Sequence, residues 1–213
     1  MEFRELLEIV GQDPVFETGL LLAVAVDPRH IRRQLVRWKN AGKIIQLRRG
    51  LYTLAPPYQR MRPHPFLVAN SMVRASYVSL QSALAHASLI PEYVPVTTSV
   101  TTERPNRWET PLGVFDFRHV QASLFFGYRS IELSEGQAAL VARSEKALID
   151  LVYLEPGADS PEYLRELRLQ HLERLNLQAL SEMAARAGKP KLERAVDFIA
   201  RLAREEQAEY EEL

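Results

Sequence analysis

Eight Arg or Lys residues and no Asp or Glu fall between Pro28 and Gly50. Guanidinium and ammonium groups at that density neutralise phosphates and release condensed counterions. A guanidinium fork can also bond the O6 and N7 edge of guanine, and an amide such as that of Asn40 the edge of adenine. A structureless basic run would be a solvated tail, and ordinary surface helices mix their charges. The chemistry of this block therefore depends on what shapes it.

The shaping elements are legible. Asp27-Pro28 is a helix start, with a capping carboxylate followed by proline at the first position. Ile31, Leu35 and Trp38 then recur on one stripe. Opposite them lie Arg29, Arg33, Val36, Arg37 and Asn40, flanked by Arg32, Lys39 and Lys43. Gly42 stops the helix. Ile44–Leu47 and Leu51–Leu54 read as two strands around the turn Arg48-Arg49-Gly50. Upstream, Phe3, Leu6, Leu7 and Val10 mark a first helix. Asp13-Pro14 reads as the start of a second, carrying Phe16, Leu20 and Leu21 inward.

Three helices and a basic hairpin predict a winged helix-turn-helix over residues 1–56, its third helix entering the major groove of double-stranded DNA. Arg29, Arg33, Arg37 and Asn40 are assigned to base edges, and Arg32, Lys39 and Lys43 to phosphates. Arg48 and Arg49 are assigned to a minor groove or the backbone. About six such contacts predict a log–log salt slope near −5. Trp38 shares the buried stripe and reads as a core anchor rather than a base-stacking residue. The competing reading is a helix that docks protein or RNA.

Residues 57–65 follow as a linker. The stretch from Pro56 to Pro65 holds four of the thirteen prolines and has no periodicity. Proline-rich spacers of this kind are semi-rigid. Residues 66–213 predict a second, mixed α/β domain, so the fold class is α+β. Helices are expected over Phe66–Val73, over Leu80–His86 behind a Ser79 cap, over Glu145–Leu154 behind a Ser144 cap, and then to the end of the chain. A mostly antiparallel sheet is expected from Val96–Thr102, Val114–Val120, Phe125–Leu133 and Ala138–Ala142. The last helix carries the stripe Ala195, Phe198, Ile199, Leu202 and Ala203, which either packs on its own domain or forms a dimer seam.

The chain of 213 residues is 46% hydrophobic and 25% charged, enough apolar material for a core. It has no cysteine, which fits a reducing compartment. No long apolar run predicts a membrane span, and the first residues do not read as a secretion signal. A cytoplasmic location is expected. Net charge is zero but uneven. Residues 1–57 hold nine cations against six acids, while acids gather at Glu205, Glu206, Glu209, Glu211 and Glu212.

Outside the basic block, the best polar candidates are Glu145, Lys146 and Asp150. Lys146 and Asp150 stand four apart, on one helical face. They read either as a cap with a surface pair or as a functional patch facing a partner or DNA. The five histidines show no metal-ligand spacing, so no metal is expected. No phosphate loop or nucleophile motif is present, so neither a cofactor nor catalysis is called for.

The segments QLVRWKNAGKIIQLRRGLYTL, YVSLQSALAHASLIP, GVFDFRHV, LFFGY and ARSEKALIDLVYL resemble the AbiEi antitoxins, regulators of type IV toxin–antitoxin systems of abortive phage infection. The resemblance runs over roughly residues 4–185 and is most specific at 144–150. It implies a repressor of its own operon, bound at inverted repeats in the promoter as a monomer or weak dimer. It also implies a functional partner, a nucleotidyltransferase toxin, countered without a stable complex. Arg48, Arg49, Gly50 and Tyr52 match the family's wing. Ser79, Ala83 and Leu84 match one helix of its second domain, and Glu145, Lys146 and Asp150 another. The alternatives are a stand-alone regulator, or a protein-docking or enzymatic antitoxin that does not bind DNA.

Overall fold

A computed structural model describes residues 1–23 and 27–211 of the chain. The first elements are α1 (Phe3–Val10), β1 (Phe16–Glu17), α2 (Thr18–Ala23), α3 (Pro28–Asn40), β2 (Ile44–Arg48) and β3 (Leu51–Leu54). α1 opens on a reciprocal capping box between Glu2 and Glu5. The three strands form an antiparallel sheet in the order β1-β3-β2.

Asp13-Pro14 does not start a helix. The chain runs on into β1, where Phe16 pairs with Tyr52 of β3, and the helix begins only at Thr18. Phe16 is buried from a strand, while Leu20 stays 40% exposed. The partner strand, more than thirty residues downstream, overrides the local start signal.

α3 behaves as its sequence predicts. The Asp27 carboxylate accepts the Arg29 amide at 2.8 Å, and Pro28 fills the first position. At the other end Gly42 takes φ +66°. Its amide donates to the Lys39 carbonyl at 3.0 Å, and that of Lys43 donates to the Trp38 carbonyl at 2.9 Å. This closure satisfies carbonyls that a helix end leaves bare, in a backbone region glycine enters without cost. Ile31, Leu35 and Trp38 join Leu6, Val10, Phe16, Leu21, Ile44, Tyr52 and Leu54 in a small core.

The remaining elements are α4 (Pro65–Met72), β4 (Ser76–Val78), α5 (Leu80–His86), β5 (Val96–Thr101), β6 (Asn106–Thr110), β7 (Gly113–His119), β8 (Tyr128–Glu132), β9 (Ala138–Ala142), α6 (Ser144–Leu154), α7 (Pro161–Glu166), α8 (Leu177–Ala187) and α9 (Pro190–Glu211). Six strands form one sheet, β6-β7-β5-β4-β9-β8. The pairs β4/β9 and β5/β7 are parallel and the other three antiparallel, so the sheet is mixed. The architecture is α+β. Strands β4 and β6 were not expected. β4 is three residues long, and β6 is a mostly polar edge strand without clean alternation. The cap of α6 is Arg143 rather than Ser144, which is already helical.

α6 is buried from Glu145 to Val152 without interruption. α8 and α9 pack on it. Ala195, Phe198 and Ile199 of α9 lie in the same core, with Leu202 and Ala203 partly covered against it. The stripe on the last helix thus packs on its own domain. The side chains of Glu209 and Glu211, and Glu212 itself, lie outside the described residues.

The proline-rich segment is pinned along its length. Tyr58 meets the Phe3 ring edge-on at 4.8 Å. Gln137 donates to the Arg62 carbonyl at 2.9 Å and accepts the His64 amide at 2.8 Å. The β2–β3 hairpin is shared: Ile44, Tyr52 and Leu54 face the small core, while Leu47 and Leu51 belong to the larger one.

Candidate nucleic-acid interface

The outer face of α3 follows from its inner one. With Ile31, Leu35 and Trp38 turned inward, Arg29, Arg32, Arg33, Arg37, Lys39 and Asn40 are all exposed. Among the described residues, none of the four arginines is in a salt bridge. Their charge stands toward solvent. Val36, 59% exposed, sits in their midst.

The two flanking lysines are held. Lys39 Nζ donates to Gln46 Oε1 on β2 at 2.9 Å, bridging helix and hairpin. Lys43 Nζ lies 4.5 Å above the Phe3 ring, a cation–π contact that fixes it beside α1.

At the hairpin turn the two arginines part company. Arg49 is exposed. Arg48 folds back: it donates to the Arg49 carbonyl at 2.9 Å and to the Ser71 carbonyl of α4 at 3.3 Å, and it lies 3.8 Å from Glu17. Arg48, expected at a minor groove or the backbone, is thus not free at the turn but forms a contact between the hairpin and α4. The Gly50 carbonyl takes the Thr18 amide at 2.9 Å, so the turn is clipped to the start of α2.

The second set of candidates is brought together, but indoors. Lys146 and Asp150 pair through Nζ and Oδ1 on α6, with 0% and 1% of their side chains exposed. Asp150 Oδ2 accepts the Tyr77 hydroxyl at 2.9 Å and the Ser79 hydroxyl at 2.7 Å. Ser79 stands at the start of α5 but spends its hydroxyl on Asp150 instead of capping the helix. Burial pushes the Asp150 carboxyl up, opposed by the Lys146 charge and then by its hydrogen bonds. Burial pulls the Lys146 ammonium down, opposed by Asp150. Burial first, then the Asp150 charge and hydrogen bond, pushes the Tyr77 phenol far up. Glu145 is also buried, and its Oε1 accepts the Asn176 amide at 2.8 Å, just ahead of α8.

Both sequence readings of this set are therefore corrected. Lys146 and Asp150 are not a surface pair, and with Ser79 and Glu145 they do not form a patch open to a partner. They are a polar knot joining β4, α5 and α6, with Glu145 reaching toward α8. Buried charges persist when paired or hydrogen-bonded: Lys146 and Asp150 are paired with each other, and Glu145 accepts a backbone amide.

No protein-family model and no curated protein matches the chain.

Sequence reasoning missed Tyr77, Gln46, Phe3 and Glu17. Tyr77 lies on the unexpected strand β4, where its ring stacks on Tyr128 at 4.6 Å. Gln46 could have been found, since a polar side chain in an otherwise apolar strand asks for a partner. Among the described residues no three His, Asp or Glu side chains gather as a metal site would require. No helix among them is long and apolar enough to cross a membrane.

Proposed function

We propose that residues 1–56 are a winged helix-turn-helix binding double-stranded DNA through α3, and that the protein is a cytoplasmic repressor of its own promoter. The carrying observation is the outer face of α3, with four exposed arginines and an amide on a helix anchored by its own core. The order β1-β3-β2, with α3 directly ahead of the hairpin, supports the same reading. The major groove admits such a helix, and arginine forks fit guanine edges there. Arg49, rather than Arg48, is the hairpin's contact with the phosphate backbone.

A gel shift against the chain's own promoter, run across salt, tests this. The expected log–log slope is about −5. Arg33→Ala weakens specific binding by about 1–3 kcal/mol and relaxes one base position. A folded protein that shifts no duplex at low salt would sink the reading.

The antitoxin role, with a nucleotidyltransferase toxin as functional partner, rests on the resemblance of the segments around Ser79 and Glu145–Asp150 to AbiEi proteins. In this reading those buried residues keep the domain in shape, and neutralisation falls to its surface. Co-expression with a neighbouring nucleotidyltransferase gene tests it: growth is restored by the chain, and the two proteins elute apart on size exclusion. Failure to restore growth removes the antitoxin half and leaves the repressor standing.

A further inference from the structure

Val36 is an apolar knob inside a ring of polar and cationic side chains. Its helical neighbours one turn back are Arg32 and Arg33; one turn on they are Lys39 and Asn40. All four are exposed, and Val36 itself is 59% exposed. A β-branched residue gains nothing as a helix former at a solvated position. A second copy of the same face is a poor partner for it, because the surrounding cations would repel one another. The partner that fits is anionic around its edge and carries a small apolar projection at its centre.

Duplex DNA has that form in one place. In the major groove the C5-methyl of thymine stands among polar base edges, between two rows of phosphates. We propose that Val36 is a specificity-determining residue that packs on a thymine methyl, while the arginines around it take neighbouring guanines and phosphates. The proposal rests on the DNA-binding reading of α3 and adds to it a thymine at one defined position of the site.

The test starts from a duplex selected by the full-length protein out of a random library. Each thymine is replaced singly by deoxyuridine, which removes only the methyl group. Loss of one buried methyl predicts about a fourfold drop in affinity at one position. Val36→Ala should lower affinity for the parent duplex by a similar factor and be indifferent to deoxyuridine at that position. Because Val36 is exposed, thermal melting of the variant should match that of the parent. If deoxyuridine changes nothing at any thymine, or if Val36→Ala keeps the full methyl effect, the Val36 assignment is wrong although DNA binding stands. If no duplex is selected by folded protein, the DNA-binding reading falls, and this inference with it.

Discussion

Arg48 donates to the main-chain carbonyl of Ser71, 3.3 Å away, and so ties the hairpin of the first domain to helix α4 of the second. Arg48 also lies close to Glu17, whose other oxygen takes Arg74 at 2.8 Å. Its sequence neighbour Arg49 makes no such tie. The two arginines should therefore fail in different assays. Arg48→Ala is expected to cost about 1–2 kcal/mol of stability, read as a fall in Tm of about 2–4 °C per kcal/mol. Arg49→Ala should leave Tm in place and make the salt slope of the proposed DNA binding shallower by about one unit. A drop in Tm for Arg49→Ala equal to that for Arg48→Ala would contradict the distinction.

The Lys146–Asp150 pair predicts non-additive mutations. Removing one partner strands a buried charge, so Asp150→Ala should cost about 3–5 kcal/mol. Lys146→Met with Asp150→Asn removes both charges and leaves an amide oxygen for Tyr77 and Ser79. That double variant should recover most of the loss in urea denaturation. A double variant as unstable as Asp150→Ala would show that the ion pair is not what the site requires.

Gly127 packs against the stem of the same lysine. At φ +77° an added Cβ would lie 3.0 Å from Lys146 Cγ and 3.1 Å from its Cβ. Gly42, at φ +66°, has open space where its Cβ would go. Gly42→Ala should carry only the backbone cost of about 1 kcal/mol, whereas Gly127→Ala adds a steric one. Chemical denaturation of the two variants should rank Gly127→Ala as clearly the worse.

His64 gives the protein a pH-dependent element. It stands at the start of α4, and its Nδ1 accepts the Phe66 amide at 3.1 Å, which requires the unprotonated ring. Burial first, then the nearby His86, holds its pKa below the usual histidine value of 6.5. A helix N-terminus also disfavours a cation. The unfolded chain thus binds this proton more readily than the folded one. The contribution is present above pH 6.5 and is lost as pH falls through the lower folded value. His64→Asn keeps a capping acceptor without a titratable ring. Its Tm should change less than that of the wild type as the pH is lowered from above 6.5 to below it. Parallel curves would count against this assignment.

How far the sequence could be read depended on how local each signal was. Asp27, Pro28 and Gly42 act within one turn of themselves, so α3 and its two faces were legible to the residue. Phe16 was not, because β1 exists only by pairing with Tyr52 and Leu51. The pair Lys146/Asp150 followed the spacing of an ordinary surface bridge, and the burial that changes its meaning is supplied by β4, α5 and α8. A clue was present: Ala147, Leu148, Ile149, Leu151 and Val152 surround the pair, and a helix that is apolar all round is buried. Arg48 and Arg49 are identical in kind, and only the position of α4 separates them.

The hairpin that contributes to both cores makes the proline-rich boundary a division of sequence rather than of energy. A chain ended at residue 56 would keep α3 and its arginines but strip the cover from Leu47 and Leu51. It would become an adhesive fragment. In the intact chain the hairpin that follows α3 is held from two sides at once, by the small core and by the larger one.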